Sequence, residues 1–141
     1  MNDDHDYVVR GIAFRIAKNA HSGQFRRDGL TPYINHPISV AERVQHFGYK
    51  YVCVAYLHDV LEDTSVTADE LAREGIPDDI IEAVQLLTKH DDQSYDEYLF
   101  LINQNELARR VKIADMLTNL ADNPTKNQVK KYAKGLLFLV D

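Results

Sequence analysis

Apolar residues recur at helical spacing along most of this chain, whereas the strict alternation that marks a β-strand is scarce. The pattern is clear near the N-terminus, where six apolar residues share a helical face: Val8, Val9, Ile12, Ala13, Ile16 and Ala20. The acidic residues that precede them suit a helix N-terminus, because the helix dipole favours negative charge there. The pattern predicts an all-α fold.

Two short motifs predict where individual helices begin. In a capping box, a Ser or Thr side chain caps the helix and a Glu three residues later reaches back to it. Thr67 with Glu70 and Ser94 with Glu97 both match this motif. Each match predicts the start of a helix.

Glycine and proline divide the rest of the chain. Gly23 ends the first helix, and the segment GQFRRDGLTPYINHP is predicted to be a long ordered loop because it holds two glycines and two prolines. Further helices are predicted over 37–47, about 50–61, 78–88, about 105–120 and from about 125 onwards. The chain is therefore expected to form a bundle of roughly seven to eight helices.

The chain has 141 residues, enough for one hydrophobic core, so we expect a single domain spanning residues 1–141. No apolar run approaches the length of a membrane-spanning helix, and the N-terminal MNDDHDY is too acidic for a signal peptide. The only cysteine, Cys53, lies in the apolar run YVCVAYL, where it is expected to be buried and free of any internal disulfide. These features predict a cytoplasmic protein.

The net charge of −6 argues against general nucleic-acid binding, which requires a basic surface. Positive charge is nevertheless concentrated at Arg26 and Arg27, at Lys89, and between residues 109 and 112. Such clusters are compatible with a small phosphorylated ligand, and no membrane partner is indicated. The sequence leaves the oligomeric state open, a homo-oligomer included.

Four residues in three separated motifs form a candidate metal-binding set. His36 lies in PYINHP, His58 and Asp59 lie in LHDVLEDT, and Asp115 lies in VKIADMLTNL. Two imidazoles and two carboxylates suit a divalent ion such as Mn²⁺, Fe²⁺ or Zn²⁺. His36 is predicted to lie in a loop, where a role in the core would not explain it.

Asp115 lies in an apolar stretch, where an unpaired carboxylate would be costly. A bound metal would remove that cost, and so would an ion pair with Lys112 or Arg110; metal ligation is the favoured interpretation. Lys112 and Asn119 lie three residues before and four residues after Asp115, so all three can face the same cleft.

Glu62 and Asp63 follow the His58-Asp59 pair by one helical turn. Acidic residues at the C-terminal end of a helix oppose the helix dipole, so their presence there indicates a function. Beside a metal site they could position or deprotonate a water molecule. The alternative is a solvated, acidic helix end.

The three motifs together resemble a known family. PYINHP, HDVLEDT and a downstream K-x-A-D-x-x-x-N look like the hydrolase domain of RelA/SpoT-type alarmone enzymes, particularly the small alarmone hydrolases, a branch of the HD phosphohydrolases. The similarity runs from about Phe14 to Leu120. It implies an HD-domain helical bundle that removes pyrophosphate from the 3′ position of (p)ppGpp, giving GDP or GTP, with one divalent metal, for which Mn²⁺ is the expected identity. Alarmone synthesis, which the bifunctional relatives carry out in a following domain, is not expected.

The resemblance also implies roles for individual residues. Glu62 and Asp63 would be catalytic, Arg26 and Arg27 would hold the guanine and the phosphates, and Asn119 would bind the nucleotide. Lys112 would be either a phosphate contact or a structural partner of an acid.

Three further positions have implied or alternative roles. Tyr33 could line the nucleotide pocket or pack beneath the loop. Met116 and Thr118 replace an Arg and a His of many relatives, at positions expected to shape the nucleotide side of the pocket.

Two alternative functions remain. One is an HD phosphohydrolase that acts on another nucleotide or on a 2′- or 3′-phosphorylated cofactor. The other is a catalytically idle module that senses nucleotides. Retention of the Glu62-Asp63 pair favours an enzyme, because a sensor needs the pocket but not the residues that activate water.

Overall fold

The computed structural model describes residues 2–140, and that part of the chain is helical with one isolated β-bridge and no strand. Eight helices there are longer than one turn: α1 (Asn2–Ala20), α2 (Asn35–Val44), α3 (Tyr49–Leu57), α5 (Ala68–Arg73), α6 (Asp78–Leu86), α7 (Tyr95–Asn103), α8 (Glu106–Leu120) and α9 (Lys126–Leu139). A single turn, α4, covers Val60–Asp63, and a short 3₁₀ helix follows α2 at Gln45–Phe47. The predicted all-α fold is confirmed.

Side-chain caps define the start of four helices. The predicted caps Thr67 and Ser94 accept hydrogen bonds from the backbone N–H groups of Glu70 and Glu97 at 3.2 and 3.1 Å. Asn105 caps α8 in the same way. The complete reciprocal box occurs at α9, between Thr125 and Gln128. The predicted helix starts at residues 67 and 94 are therefore confirmed.

The predicted continuous helix over residues 50–61 is wrong. Helix α3 ends at Leu57, and His58 and Asp59 form a turn before α4. At this turn the backbone N–H of His58 reaches the carbonyl of Ala55 rather than the one four residues back. The break places both motif side chains in a turn that follows the buried helix, rather than in the last turn of the helix itself.

The expected loop also ends earlier than predicted, so His36 is not a loop residue. Helix α2 begins at Asn35, because the N–H groups of Asn35 and His36 donate to the carbonyls of Pro32 and Tyr33 in a tight turn. Pro37 then occupies the first turn of α2, where a missing backbone donor costs nothing.

Helix α3 forms the centre of the molecule and packs against α1, α2, α6 and α8. Cys53, Val54, Ala55 and Leu57 are fully buried in it, and Cys53 is a free thiol as expected. Helix α8 contacts α2, α3, α6, α7 and α9. The site residues on α2, after α3 and on α8 are thus held on mutually packed elements.

The loop between α1 and α2 is ordered by its own hydrogen bonds. Phe25 and Pro32 form the β-bridge, and the Asp28 carboxylate accepts from the N–H groups of Leu30 and Thr31 and from the Thr31 hydroxyl. These hydrogen bonds lower the pKa of Asp28 to about 2. The predicted ordered loop is confirmed.

None of the helices in the described part of the chain combines the length and hydropathy that crossing a membrane requires.

Candidate active site

Three predicted metal ligands converge on one buried point. His36 comes from the first turn of α2, His58 from the turn after α3, and Asp115 from the middle of α8. One ligand atom from each lies within 4.8 Å of the others. The Oδ1 atom of Asp115 lies 2.8 Å from Nε2 of His36 and 3.4 Å from Nε2 of His58.

The fourth predicted ligand, Asp59, adjoins this group. Its Oδ2 atom lies 3.0 Å from Nε2 of His58 and accepts a hydrogen bond from the Tyr33 hydroxyl. The structure therefore places all four side chains together, with His58 between two carboxylates. We call His36, His58, Asp59 and Asp115 the HD cluster.

His58 is oriented as a metal-binding histidine would be. Its Nδ1 lies 2.6 Å from the carbonyl of Ala55, which can only accept, so Nδ1 carries the proton. The lone pair of the neutral ring is then on Nε2, which is buried and has no aligned hydrogen-bond partner among the described residues. A backbone carbonyl commonly fixes a ligating histidine in this way. The donor set of the HD cluster therefore fits a divalent metal.

The ionisable side chains of the HD cluster shift one another's pKa values. Burial alone would lower the pKa of His58, but the carboxylates of Asp59 and Asp115 hold it well above its ordinary value. Burial would raise the pKa of Asp59, but the charge of the neighbouring His58 brings it down to about 2. Without a metal, a proton on His58 thus separates two carboxylates, in the place where a cation would serve the same purpose.

Of the two ion-pair partners that the sequence offered for Asp115, the structure shows Lys112. The Oδ2 atom of Asp115 lies 3.2 Å from Nζ of Lys112, while Oδ1 faces the two histidines. Burial would raise the pKa of Asp115, but the Lys112 ammonium and the histidine contacts hold it well below its usual range. The other proposed partner, Arg110, pairs with Glu106 instead.

Glu62 and Asp63 lie at the exposed end of α4, beside the HD cluster, and their environments differ. Burial raises the pKa of Asp63 to about 6, with further contributions from the charges of Asp59 and Glu62. The Glu62 carboxylate instead accepts a hydrogen bond from the backbone N–H of Lys89 at 2.8 Å. Asp63 can therefore exchange a proton near neutral pH, whereas Glu62 also anchors the loop after α6.

A cavity of about 670 Å³ opens on the His36 side of the HD cluster. We call it the arginine cavity; it is lined by Arg26, Arg27, Asp28, Thr31, Asn35, His36, Ser39, Arg43, Thr118, Ala121, Asp122, Asn123 and Thr125. Arg26 pairs with Asp122 at 2.8 Å and lies over the Tyr33 ring. Arg27 donates to the backbone carbonyls of Asp122 and Asn123. Both predicted arginines thus lie at one cavity.

Sequence reasoning missed Arg43 at this cavity and misplaced Met116. The Arg43 Nε donates to the Thr118 hydroxyl at 3.0 Å, a contact across α2 and α8 that no local motif signals. Met116, expected on the nucleotide side, is fully buried against Gly135, where a Cβ would lie 2.6 Å from the Met116 methyl carbon. Of Met116 and Thr118, only Thr118 faces the cavity, because residues two positions apart on a helix point in different directions.

Asn119 and Tyr33 connect the cavity to the HD cluster. The Asn119 amide donates to Oδ1 of Asp115 at 3.2 Å, and its oxygen lies 3.5 Å from Nη2 of Arg26. Tyr33 packs its ring beside His21 and His36 and donates to Asp59. Tyr33 therefore supports the loop and also orients a predicted ligand.

A second cavity of about 510 Å³ is lined by Glu62, Lys89, Tyr95, Tyr98, Lys112 and Lys131. We call it the lysine cavity. Lys112, predicted to contact either phosphate or an acid, is one of these lining residues and pairs with Asp115. Its Nζ also lies 5.4 Å from the centre of the Tyr98 ring. Sequence reasoning did not single out Tyr95 or Lys131.

Comparison with known proteins places this site in a family context. The HD domain family matches residues 13–130. The chain is 34% identical over 132 residues to guanosine-3′,5′-bis(diphosphate) 3′-pyrophosphohydrolase MESH1 of Xenopus tropicalis, covering 86% of this chain and 72% of that protein. A solved structure described as a metazoan ortholog of SpoT that hydrolyzes ppGpp superposes with a TM-score of 0.74 at 26% identity, covering 93% of this chain and 85% of that one.

Longer relatives share the same region. Guanosine-3′,5′-bis(diphosphate) 3′-pyrophosphohydrolase of Haemophilus influenzae is 48% identical over 61 residues, covering 42% of this chain. The one from Borreliella burgdorferi is 31% identical over 140 residues, covering 89% of this chain. The chain spans only 9% and 21% of the lengths of these two relatives.

Proposed function

This chain belongs to the HD domain family, in its RelA/SpoT-type branch, and on that premise we propose that it hydrolyses (p)ppGpp. The reaction releases pyrophosphate from the 3′ position and leaves GDP or GTP. The observation that carries the proposal is the buried group of His36, His58 and Asp115, with Asp59 beside it and a cationic cavity on each side. The similarity to MESH1 over most of both chains supports the choice of substrate.

One divalent ion, with Mn²⁺ as the favoured identity, would be held by His36, His58, Asp59 and Asp115. When bound, it supplies a lowered pKa for the attacking water and neutralises charge on the phosphoryl group. Lys112 holds Asp115 through Oδ2, which leaves Oδ1 directed into the cluster. The Tyr33 hydroxyl orients Asp59 by a hydrogen bond, and the Ala55 carbonyl orients His58 by another.

Asp63 is the proposed general base. A carboxyl with a pKa of about 6 is mostly ionised at neutral pH, yet it binds a proton more readily than an ordinary carboxylate. Asp63 takes a proton from water as the water oxygen bonds to phosphorus and the bond from phosphorus to the ribose 3′ oxygen breaks. The ribose oxygen then needs a proton, which the protonated Asp63 or Glu62 can deliver.

The arginine cavity is the proposed nucleotide site. Guanidinium groups are planar, so Arg26 or Arg27 can stack on guanine as well as bind phosphate oxygens. Asn119 links Arg26 to Asp115 and so fixes the nucleotide site relative to the HD cluster. Residues 1–141 would act as one domain in the cytoplasm, with a guanine nucleotide as the small-molecule partner.

The test is turnover of ppGpp by Mn²⁺-loaded protein, with product analysis beside a panel of other phosphorylated nucleotides. Release of pyrophosphate, abolished in His58→Ala and retained in the exposed control His46→Ala, is the expected result. Orthophosphate release from another nucleotide would keep the hydrolase and remove the alarmone assignment. Nucleotide binding without any turnover would identify the protein as an idle sensing module.

A further inference from the structure

We propose that the lysine cavity binds the terminal phosphate of the departing pyrophosphate, and that Lys131 and Tyr95 thereby select a 3′-diphosphate over a 3′-monophosphate. The inference rests on the proposed function, because it assigns a specificity site to that reaction. It concerns residues that the sequence motifs did not single out and that lie outside the HD cluster.

The order of residues along α8 sets the geometry. Lys112 lines the lysine cavity, Asp115 belongs to the HD cluster, and Thr118 lines the arginine cavity together with Ala121 and Asp122, which directly follow the helix. With a rise of about 1.5 Å per residue, Lys112 and Asp115 are only about 4.5 Å apart along the helix axis. A substrate whose nucleoside occupies the arginine cavity, and whose scissile phosphate reaches the HD cluster, therefore directs its terminal 3′ phosphate toward the lysine cavity.

The charge of the lysine cavity suits that terminal phosphate. Lys112 is already paired with Asp115, and the Glu62 carboxylate accepts from the Lys89 backbone. The ammonium groups of Lys89 and Lys131, in contrast, have no carboxylate partner within residues 2–140. Glu62 is the one carboxylate among the described residues of the lining, so Lys89 and Lys131 leave the cavity with a net positive charge, which favours an anionic ligand.

Tyr95 provides an independent indication. Its hydroxyl is buried and has no hydrogen-bond partner among the residues that the structure describes, although its ring lines the cavity. Buried polar atoms without partners are rare, and each calls for an explanation such as a ligand. Burial raises the pKa of Tyr95, so its hydroxyl stays protonated and can donate to a phosphate oxygen. The Lys131 ammonium lies 4.8 Å from the centre of the same ring.

This arrangement has a consequence for specificity. A nucleotide with a 3′-monophosphate can reach the HD cluster but has no group to place near Lys131. A 3′-diphosphate occupies both positions, so its transition state gains a hydrogen bond to a charged group that the shorter substrate lacks. Free pyrophosphate should bind the same cavity as a product inhibitor.

The test compares Lys131→Gln and Tyr95→Phe with a matched control, Lys134→Gln, which changes an exposed lysine on the same helix outside the cavity. Each variant is assayed with ppGpp and with guanosine 5′-diphosphate 3′-monophosphate. We expect kcat/KM for ppGpp to fall about 10-fold or more in the cavity variants, since a hydrogen bond to a charged group contributes that much. The activity of the cavity variants on the 3′-monophosphate should change little, and so should the activity of the control variant on either substrate. Equal losses on both substrates would overturn the proposal.

Pyrophosphate binding separates this inference from the proposed function. Calorimetry with magnesium pyrophosphate and Mn²⁺-loaded protein requires no turnover. We expect weaker binding in Lys131→Gln than in Lys134→Gln, and no loss of thermal stability in Tyr95→Phe. If the protein leaves ppGpp intact but pyrophosphate binding still depends on Lys131, the proposed function fails and the cavity assignment holds. Pyrophosphate binding that is unchanged in Lys131→Gln overturns the assignment in either case.

Discussion

A proton and a metal ion would both bind His58 through the same atom, Nε2. This atom lies 3.0 and 3.4 Å from the carboxylates of Asp59 and Asp115, which favour a proton on it. A metal requires the same nitrogen to be deprotonated. Proton and metal would therefore compete for Nε2, and the raised pKa of His58 favours the protonated ring when no metal is bound.

Metal binding should accordingly release a proton. We expect about one proton per metal ion at neutral pH, and affinity that weakens as the pH falls, because protonated imidazole cannot be a ligand. Calorimetric titration with Mn²⁺ in buffers of different ionisation enthalpy measures the proton count. A binding enthalpy that is the same in every buffer would contradict it.

Asp63 should determine the acidic limb of the pH–rate profile. With a pKa raised to about 6 it loses its basic form as the pH falls through that value, so turnover should fall there as well. Asp63→Asn should lower kcat by about 10²- to 10⁴-fold and remove this limb, with metal content unchanged. Glu62→Gln, which keeps an acceptor for the Lys89 N–H, serves as the comparison and should also slow turnover. Full activity in both variants would exclude the pair from the mechanism.

At the scale of elements, local signals in the sequence located the helices but not how they pack. The caps at Thr67 and Ser94 were predictable because each depends on residues three positions apart. The break after Leu57 was not, since nothing in the apolar run YVCVAYL signals that the helix ends before His58. The burial of Met116 was also missed, because it depends on Gly135, which lies on a different helix.

The contact between α8 and α9 should therefore be sensitive to Met116. Met116→Ala should lower the free energy of unfolding by about 2–5 kcal/mol, because a fully buried side chain is replaced by a cavity. Leu117→Ala, at a neighbouring position that is 41% exposed, should cost clearly less. Chemical denaturation measures both, and equal losses would show that Met116 is not a core residue.

At the scale of the whole molecule, the site is made by segments that are distant in the sequence. The motifs predicted the members of the HD cluster, because each motif carries its own candidate ligands. The lysine cavity was not predictable, since Lys89, Tyr95 and Lys131 come from a loop and two helices that only the tertiary fold brings together. The arginine cavity was predicted in part, because the sequence identified Arg26 and Arg27 but not Arg43.

Arg27 joins segments of the arginine cavity that are distant in the sequence. Its guanidinium joins the loop after α1 to the carbonyls of Asp122 and Asn123 and to Gln128. Arg27→Ala should raise KM for ppGpp more than it lowers kcat, because binding common to the ground and transition states is lost. Steady-state kinetics beside Arg73→Ala, an exposed arginine outside the cavity, provides the measurement. A loss confined to kcat would argue against a binding role.

The contact between His36 and Asp115 joins residues that are 79 positions apart in the sequence. An unfolded chain cannot hold these groups together, so a cation that binds them binds the native state alone. Such a cation stabilises the native state by binding to it. The free energy of unfolding then rises with the concentration of free cation, by about 2.7 kcal/mol at 100 times the dissociation constant. The supply of metal would then set how long each copy of the protein survives, as well as how fast it works.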